Sequence, residues 1–276
     1  MRGLLRKMTV THGDPVDYHL NLDNADTSEP LHLNPLLGQT IQMSWLSRIV
    51  CQHCGRVTNK SFSQGYCFPC FKSLAQCDLC VMSPERCHYD QGTCREPEWG
   101  QTFCMQEHIV YLANSSGLKV GITRVNQMPT RWIDQGAIQA LPIMRVASRQ
   151  LSGFVEVAYK KHISDKTHWQ KMLKGEGEAV DLIRVRDEMA EVVKADIESL
   201  QNRHGLQALQ PVTDTEPLQF RYPVLEYPEK VKSINLEKTP VFEAELRGIK
   251  GQYLIFDKGV INLRKYTGYE IGFEPV

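Results

Sequence analysis

The chain has 276 residues, 42% of them hydrophobic and 23% charged, which suits one or two packed domains and excludes a disordered or fibrous protein. Thirty-two basic residues balance thirty-two acidic ones, so the molecule as a whole is no polycation. No apolar run approaches the ~18 residues that span a bilayer, and the opening MRGLLRKMTV carries no apolar region of secretory length, so the expected location is the cytoplasm.

The opening segment, residues 1–48, reads as β-rich through GQTIQMSW. All nine cysteines follow within residues 51–104. In a chain read as cytoplasmic, such clustering points to metal rather than to disulfides. Cys51-Gln-His-Cys54 and Cys67-Phe-Pro-Cys70 stand twelve residues apart. Two thiolates three positions apart on a tight turn can ligate one ion. Two such turns close a tetrahedral set of four, which is what structural zinc prefers. Gly55, directly after the second cysteine, suits a knuckle whose backbone amides turn toward sulfur. Cys77-Asp-Leu-Cys80 is a third chelating turn, and Cys87, Cys94 and Cys104 follow, with His88 and His108 nearby. A second zinc is expected there, and five thiols for four places leave one of the last three spare. Neither set keeps an open position, so zinc would be structural, holding a stretch that is short of aliphatic residues.

Past Cys104 the texture becomes ordinary mixed structure. Ile109–Ala113 and Leu118–Thr123 read as strands around Asn-Ser-Ser-Gly, with Gly117 closing a three-residue loop. That loop pairs Asn114 with Leu118, Ala113 with Lys119 and Tyr111 with Gly121. Val110, Leu112, Val120 and Ile122 then share one face, and Tyr111, Lys119, Gly121 and Thr123 the other. QMPTRWIDQG predicts a short helix with Pro129 as its first residue and Gly136 just past its end. AIQALPIMRVA predicts a third strand, placed at an edge by Pro142. SGFVEVAYKKHIS predicts a second helix capped by Ser152, with Phe154, Val155, Ala158, Tyr159 and His162 along one stripe.

This β-β-α-β-α order, with IVY in the first strand, KVG in the second, Arg131 in TRW and Glu156 in VEV, resembles the GIY-YIG nuclease superfamily. The form with Lys119 at the second motif is similar to its phage and bacterial branch. A cysteine block joined to GLKVGITR and RWIDQGA also resembles an uncharacterised bacterial family of unknown function. The resemblance to the nucleases implies metal-dependent hydrolysis of a phosphodiester in DNA or RNA. Under it, Tyr111, Lys119, Arg131 and Glu156 are the catalytic set. Tyr111, its pKa lowered by a cation such as Lys119, takes the proton of water. Arg131 holds the non-bridging oxygens. Glu156 carries one Mg2+ or Mn2+. His162 is a weaker proton carrier, and Arg124, Arg131, Lys160 and Lys161 meet the nucleic acid.

Residues 105–174 hold ten basic side chains against four acidic ones, and residues 175–200 hold eight acids against three bases. On charge alone this fits a polyanion site with a counterweight or ordinary solvated faces equally. EAVDLIRVRDEMAEVVKADIESLQNRHG predicts one long amphipathic helix ending near Gly205, with Leu182, Val185, Met189, Val192, Val193, Ile197 and Leu200 on its apolar side. PVTDTEP reads as a linker. The end is β-rich, with Leu254–Phe256 and Val260–Leu263 around an Asp-Lys-Gly turn. The two ends of the chain are expected to complete one small barrel. Lys250, Arg264 and Lys265 among Tyr253, Tyr266 and Tyr269 are read first as its core and rim, and second as a stacking surface for nucleic acid.

The fold class is therefore α+β: a β-rich segment (1–48), a zinc-binding module (49–104), a GIY-YIG-like module (105–174), an amphipathic helix (175–205), and a linker with a β-rich end (206–276). Two functions follow from it, with a regulatory protein whose cysteines sense metal or redox state as a third option. One is a nucleic-acid-processing enzyme. The other is a non-catalytic zinc-dependent adaptor that binds nucleic acid or protein through a degenerate nuclease fold.

Overall fold

A computed structural model describes residues 1–23, 29–175 and 177–276. Glu176, one of the acids counted above, lies outside them. The chain opens with strands β1 (Arg2–Leu5), β2 (Thr9–Thr11), β3 (Asp17–Leu20), β4 (Leu22–Asp23), β5 (Leu31–His32) and β6 (Thr40–Ile49). Short helices α1 (Phe68–Ser73), α2 (Leu79–Met82) and α3 (Pro97–Phe103) punctuate the cysteine-rich stretch. Then come β7 (His108–Asn114), β8 (Leu118–Arg124), α4 (Thr130–Asp134), β9 (Gln139–Val146) and α5 (Arg149–Lys160). Helices α6 (Trp169–Leu173), α7 (Leu182–Val192) and α8 (Lys194–His204) lead to β10 (Leu209–Pro211) and β11 (Leu218–Gln219). The chain closes with β12 (Val241–Lys250), β13 (Tyr253–Phe256), β14 (Gly259–Asn262) and β15 (Tyr269–Pro275).

These strands form three antiparallel sheets. The two ends of the chain meet in a seven-stranded sheet ordered β14-β13-β12-β6-β15-β1-β4. Among the described residues no pairing joins β14 to β4, so this sheet is open where a barrel was expected. A small sheet follows the order β2-β3-β5, and the middle of the chain forms β10-β9-β7-β8 with β11 also on β9.

The middle sheet is covered on both faces, and this decides where its polar residues can go. Val110, Leu112 and Val120 pack with Leu141, Leu151, Val155, Tyr159, Leu182 and Ile197, so one face lies under the helices that follow. Ile109, Tyr111 and Ala113 on the other face join Trp132, Ile133, Tyr18, Phe220 and Ile249 in the core shared with the end strands. The hairpin register is the expected one: Tyr111 opposite Gly121, Ala113 opposite Lys119, Asn114 opposite Leu118. Gly117 has φ +140°, a region glycine favours.

Four local expectations are corrected. Strand β9 is interior, and Pro142 stands where its pairing with β7 shifts register, between the stretches that β10 and β11 cover. Helix α5 begins at Arg149, and the cap is Ser148, whose hydroxyl accepts from the Leu151 amide. Pro129 is the residue before α4 rather than its first. The long helix is two, broken at Val193, where φ −94° and ψ +3° leave helical geometry while the side chain stays buried. Of the C-terminal residues, Tyr266, Tyr269 and Lys250 are buried, whereas Tyr253 and Arg264 are partly exposed and Lys265 is exposed. Lys250 instead lies over the Tyr222 and Tyr227 rings at 5.2 and 5.3 Å.

Candidate functional site

Cys51, Cys54, Cys67 and Cys70 converge, their sulfurs all within 4.8 Å of one another. The Cys54 and Cys67 sulfurs are 3.7 Å apart. A tetrahedral zinc with bonds of about 2.3 Å needs sulfurs roughly 3.8 Å apart, so the donor set fits. The turn is built for it: the Gly55 amide bonds back to the Cys51 carbonyl, with Gly55 at φ +71°. Burial pushes the Cys51 thiol up, but backbone amides of Cys54, Cys67 and His53 donate to its sulfur and hold it at about 6. Burial and the three neighbouring sulfurs push Cys70 upward, the crowding that a bound cation relieves. All nine cysteines are free thiols.

The remaining five thiols lie in two neighbourhoods. Cys77 packs beside Cys51, Cys67, Cys70 and Leu74, with Ser63 bonding its sulfur, so the Cys77–Cys80 turn does not point both thiols one way. Cys80 is pushed up to about 11 by burial and by Asp78, Cys87, Cys104 and Cys94 around it. Cys80 also lies within 4.8 Å of Asp78 and His88 as possible ligands. Cys77 thus lies with the first cysteine cluster and Cys80 beside Asp78 and His88.

The cysteine-rich stretch docks on α5. Arg149 donates to the Val81 carbonyl at 2.6 Å and Gln150 to the Cys87 carbonyl at 2.9 Å. Gly153 lies so close that an added Cβ would sit 2.4 Å from the Glu85 amide nitrogen. Contact at this helix matters because it carries Glu156.

Tyr111, Lys119, Arg131 and Glu156 come together at β8, the outer strand of the middle sheet. Tyr111 is fully buried, with its ring over Gly121, where a Cβ would meet the ring and hydroxyl at 2.7 Å. That contact explains why Val-Gly follows Lys119. Lys119 is also buried, its Nζ donating to Gln135 Oε1 at 2.5 Å and Thr167 Oγ1 at 2.9 Å. The same Gln135 oxygen accepts from the Tyr111 hydroxyl at 3.0 Å. Ser164 lies along β8 beside Lys119 and accepts from the Val120 amide, which brings Asp165 and Thr167 to the site. Helix α4, which supplies Arg131, is anchored to the end-strand core through Asp134, which pairs with Lys7 and accepts from Gln252 at 2.8 Å.

The electrostatics correct one role. Burial pushes the Tyr111 hydroxyl above its ordinary range, and the Arg131 guanidinium beside it only partly offsets this. A lowered tyrosine pKa is therefore not what the fold makes. Burial instead lowers Lys119 to about 8, helped by Arg131 and opposed by Glu156 and Asp165. Glu156, nearly buried, is raised by burial and held by Lys160 at 3.4 Å. Lys160 also pairs with Asp165 at 2.9 Å, so one ammonium bridges two carboxylates. A divalent cation taking the place of that ammonium would find both oxygens already facing it. Sequence reasoning missed Gln135, Asp165 and Thr167. Gln135 had a faint signal, standing four residues after Arg131 on one helical face, whereas Asp165 and Thr167 had none.

The other residues assigned to nucleic acid are partly engaged. Arg124 stacks over the Phe103 ring at 4.2 Å, and Lys161 pairs with both oxygens of Asp196 at 2.7 and 2.9 Å. His162 is exposed beyond the end of α5. Among the described residues no helix is long and apolar enough to cross a membrane.

No curated protein and no solved structure matches the chain. Residues 38–271 match the family described as a protein of unknown function (DUF2797), most of the chain's length, and the chain belongs to that family.

Proposed function

We propose that the protein processes nucleic acid, hydrolysing a phosphodiester at the GIY-YIG-like site formed by Lys119, Arg131 and Glu156. The observation that carries this reading is the convergence of a buried lysine, an arginine fork and two carboxylates around one bridging ammonium. Attack on phosphorus needs a proton acceptor, countercharge for the non-bridging oxygens and support for the leaving oxygen. Lys119, near 8, exchanges its proton close to neutral pH and takes the acid–base role. Arg131, half-buried beside it, grips the non-bridging oxygens through its fork. Tyr111 is scaffold: it orients Gln135, which in turn orients Lys119. Glu156 and Asp165 would hold Mg2+ or Mn2+, which when bound supplies charge at the phosphate and acidifies water. Arg124 and Lys161 extend the basic surface for the nucleic-acid backbone. Cys51, Cys54, Cys67 and Cys70 would hold one structural zinc, and Cys80, Cys87, Cys94 and Cys104 a second. Nine free thiols suit a reducing compartment, and we place the protein in the cytoplasm.

One observation favours a non-catalytic adaptor: Lys160 already satisfies both Glu156 and Asp165. A cleavage screen over single-stranded, duplex and branched DNA and RNA with Mn2+ separates the two. The enzyme reading expects cleavage that Glu156→Ala abolishes while circular dichroism is unchanged. Equal cleavage by the variant contradicts it. Salt-sensitive binding without metal, and no cleavage at any Mg2+ or Mn2+ level, decides for the adaptor.

A further inference from the structure

Three donor groups used by neither reading converge on the small sheet. Alternate residues of a strand share a face. Tyr18 and Leu20 of β3 are fully buried, so Asp17 and His19 face outward. Strand β5 pairs with β3 so that His32 stands directly opposite His19. The two imidazoles stack with centroids 4.8 Å apart and planes within 14°. Asp17 reaches both: Oδ1 lies 2.5 Å from His32 Nε2, and Oδ2 lies 3.6 Å from His19 Nδ1. The donor atoms of all three residues lie within 4.8 Å of one another.

We propose that Asp17, His19 and His32 form a surface site for a divalent first-row transition ion, zinc foremost, with at least one position open to solvent. Two imidazoles and a carboxylate are the donor set such ions take, whereas Mg2+ and Ca2+ prefer oxygens throughout. Bonds of about 2.0–2.1 Å in a tetrahedral site put donors roughly 3.3–3.4 Å apart. The 3.6 Å Asp17–His19 contact matches that spacing. The 2.5 Å Asp17–His32 contact is closer than that spacing, and it would widen by less than an ångström to admit an ion. A hydrogen bond accounts for one ring meeting the carboxylate. It gives no reason for the second ring to be aimed at the same group. Strand pairing fixes all three backbones, so little ordering opposes binding. All three side chains are about one-third to one-half exposed, which leaves the outer side of the ion to water or to a ligand.

The test is equilibrium dialysis of the full chain, its cysteine sites already filled, against a graded series of free Zn2+, with zinc per chain counted by mass spectrometry. His19→Gln/His32→Gln changes only partly exposed side chains, and unchanged circular dichroism checks that it folds. At saturation the native chain is expected to hold one zinc more than this variant, and Asp17→Asn is expected to need at least tenfold more free zinc for that ion. Equal zinc in native protein and double variant at every concentration overturns the proposal.

Discussion

The cysteine-rich stretch and the sheet module beside it solve the same problem by different means. Around the hairpin, Val110, Leu112, Val120, Leu141, Val155 and their neighbours form a continuous apolar core. Between Cys51 and Cys104 the corresponding cluster is Cys51, Cys67, Cys70 and Leu74. Ordering a residue's backbone costs ~1–2 kcal/mol, and burying four small side chains cannot offset that over so long a stretch. A structural zinc is worth ~10–16 kcal/mol in small peptides, which is the right scale. One region therefore stands on packing, the other has a four-cysteine cluster that could hold a metal in place of a core, and the second is docked on the helix that carries Glu156.

Stripping metal breaks the comparison most strongly. Dialysis against a chelator is expected to abolish amide-exchange protection across residues 51–104, while β7, β9 and α5 stay protected in the same experiment. Equal loss in both regions would mean a single cooperative unit. Gly153→Ala strikes the seam between them, since the new Cβ meets the Glu85 backbone. Overpacking of this kind costs ~1–3 kcal/mol, read as a lower thermal midpoint, with faster exchange at 84–87 ahead of the sheet.

A third prediction sharpens the charge side of the site. Lys119 is lowered to about 8 in the fold and returns to about 10.4 when unfolded. Between those values the unfolded chain binds more protons, so stability rises with pH. The cost of burying the ammonium is present in full below about pH 8 and is relieved as pH climbs toward 10. Denaturant titration should show native protein gaining on Lys119→Met over that interval, and parallel curves would count against the buried ammonium. The smallest effect is at the cap: Ser148→Ala removes the bond to the Leu151 amide and should cost about 1 kcal/mol.

How much of this was readable beforehand depends on how local the cause is. The hairpin register, the order β7-β8-α4-β9-α5 and the first four cysteines rest on short spacings, and they stand as expected. The helix start was misplaced because two serines, Ser148 and Ser152, offer equivalent caps before the same apolar stripe. The break at Val193 left no mark because the apolar stripe runs through it. The burial of Tyr111 could not be read from the hairpin, because its ring meets Trp132 of the following helix and its hydroxyl Gln135 at that helix's end, in a core shared with the end strands. That burial reversed the direction of its pKa shift. Cys77 and Cys80 look like one chelating turn in sequence, but a short 3-10 turn over Ala75–Cys77 and the start of α2 send them to different neighbours. Asp17 and His19 share a face by simple alternation, but their meeting with His32 needs strand pairing that no spacing announces.

The proposed division into a metal-held stretch and a packed module is tested most directly by native mass spectrometry of freshly purified, reduced protein after dialysis against metal-free buffer. The account predicts two zinc ions per chain, one in Cys51→Ser, one in Cys104→Ser and two in Cys77→Ser. Native protein without zinc, or Cys104→Ser keeping both ions while Cys77→Ser loses one, would contradict it.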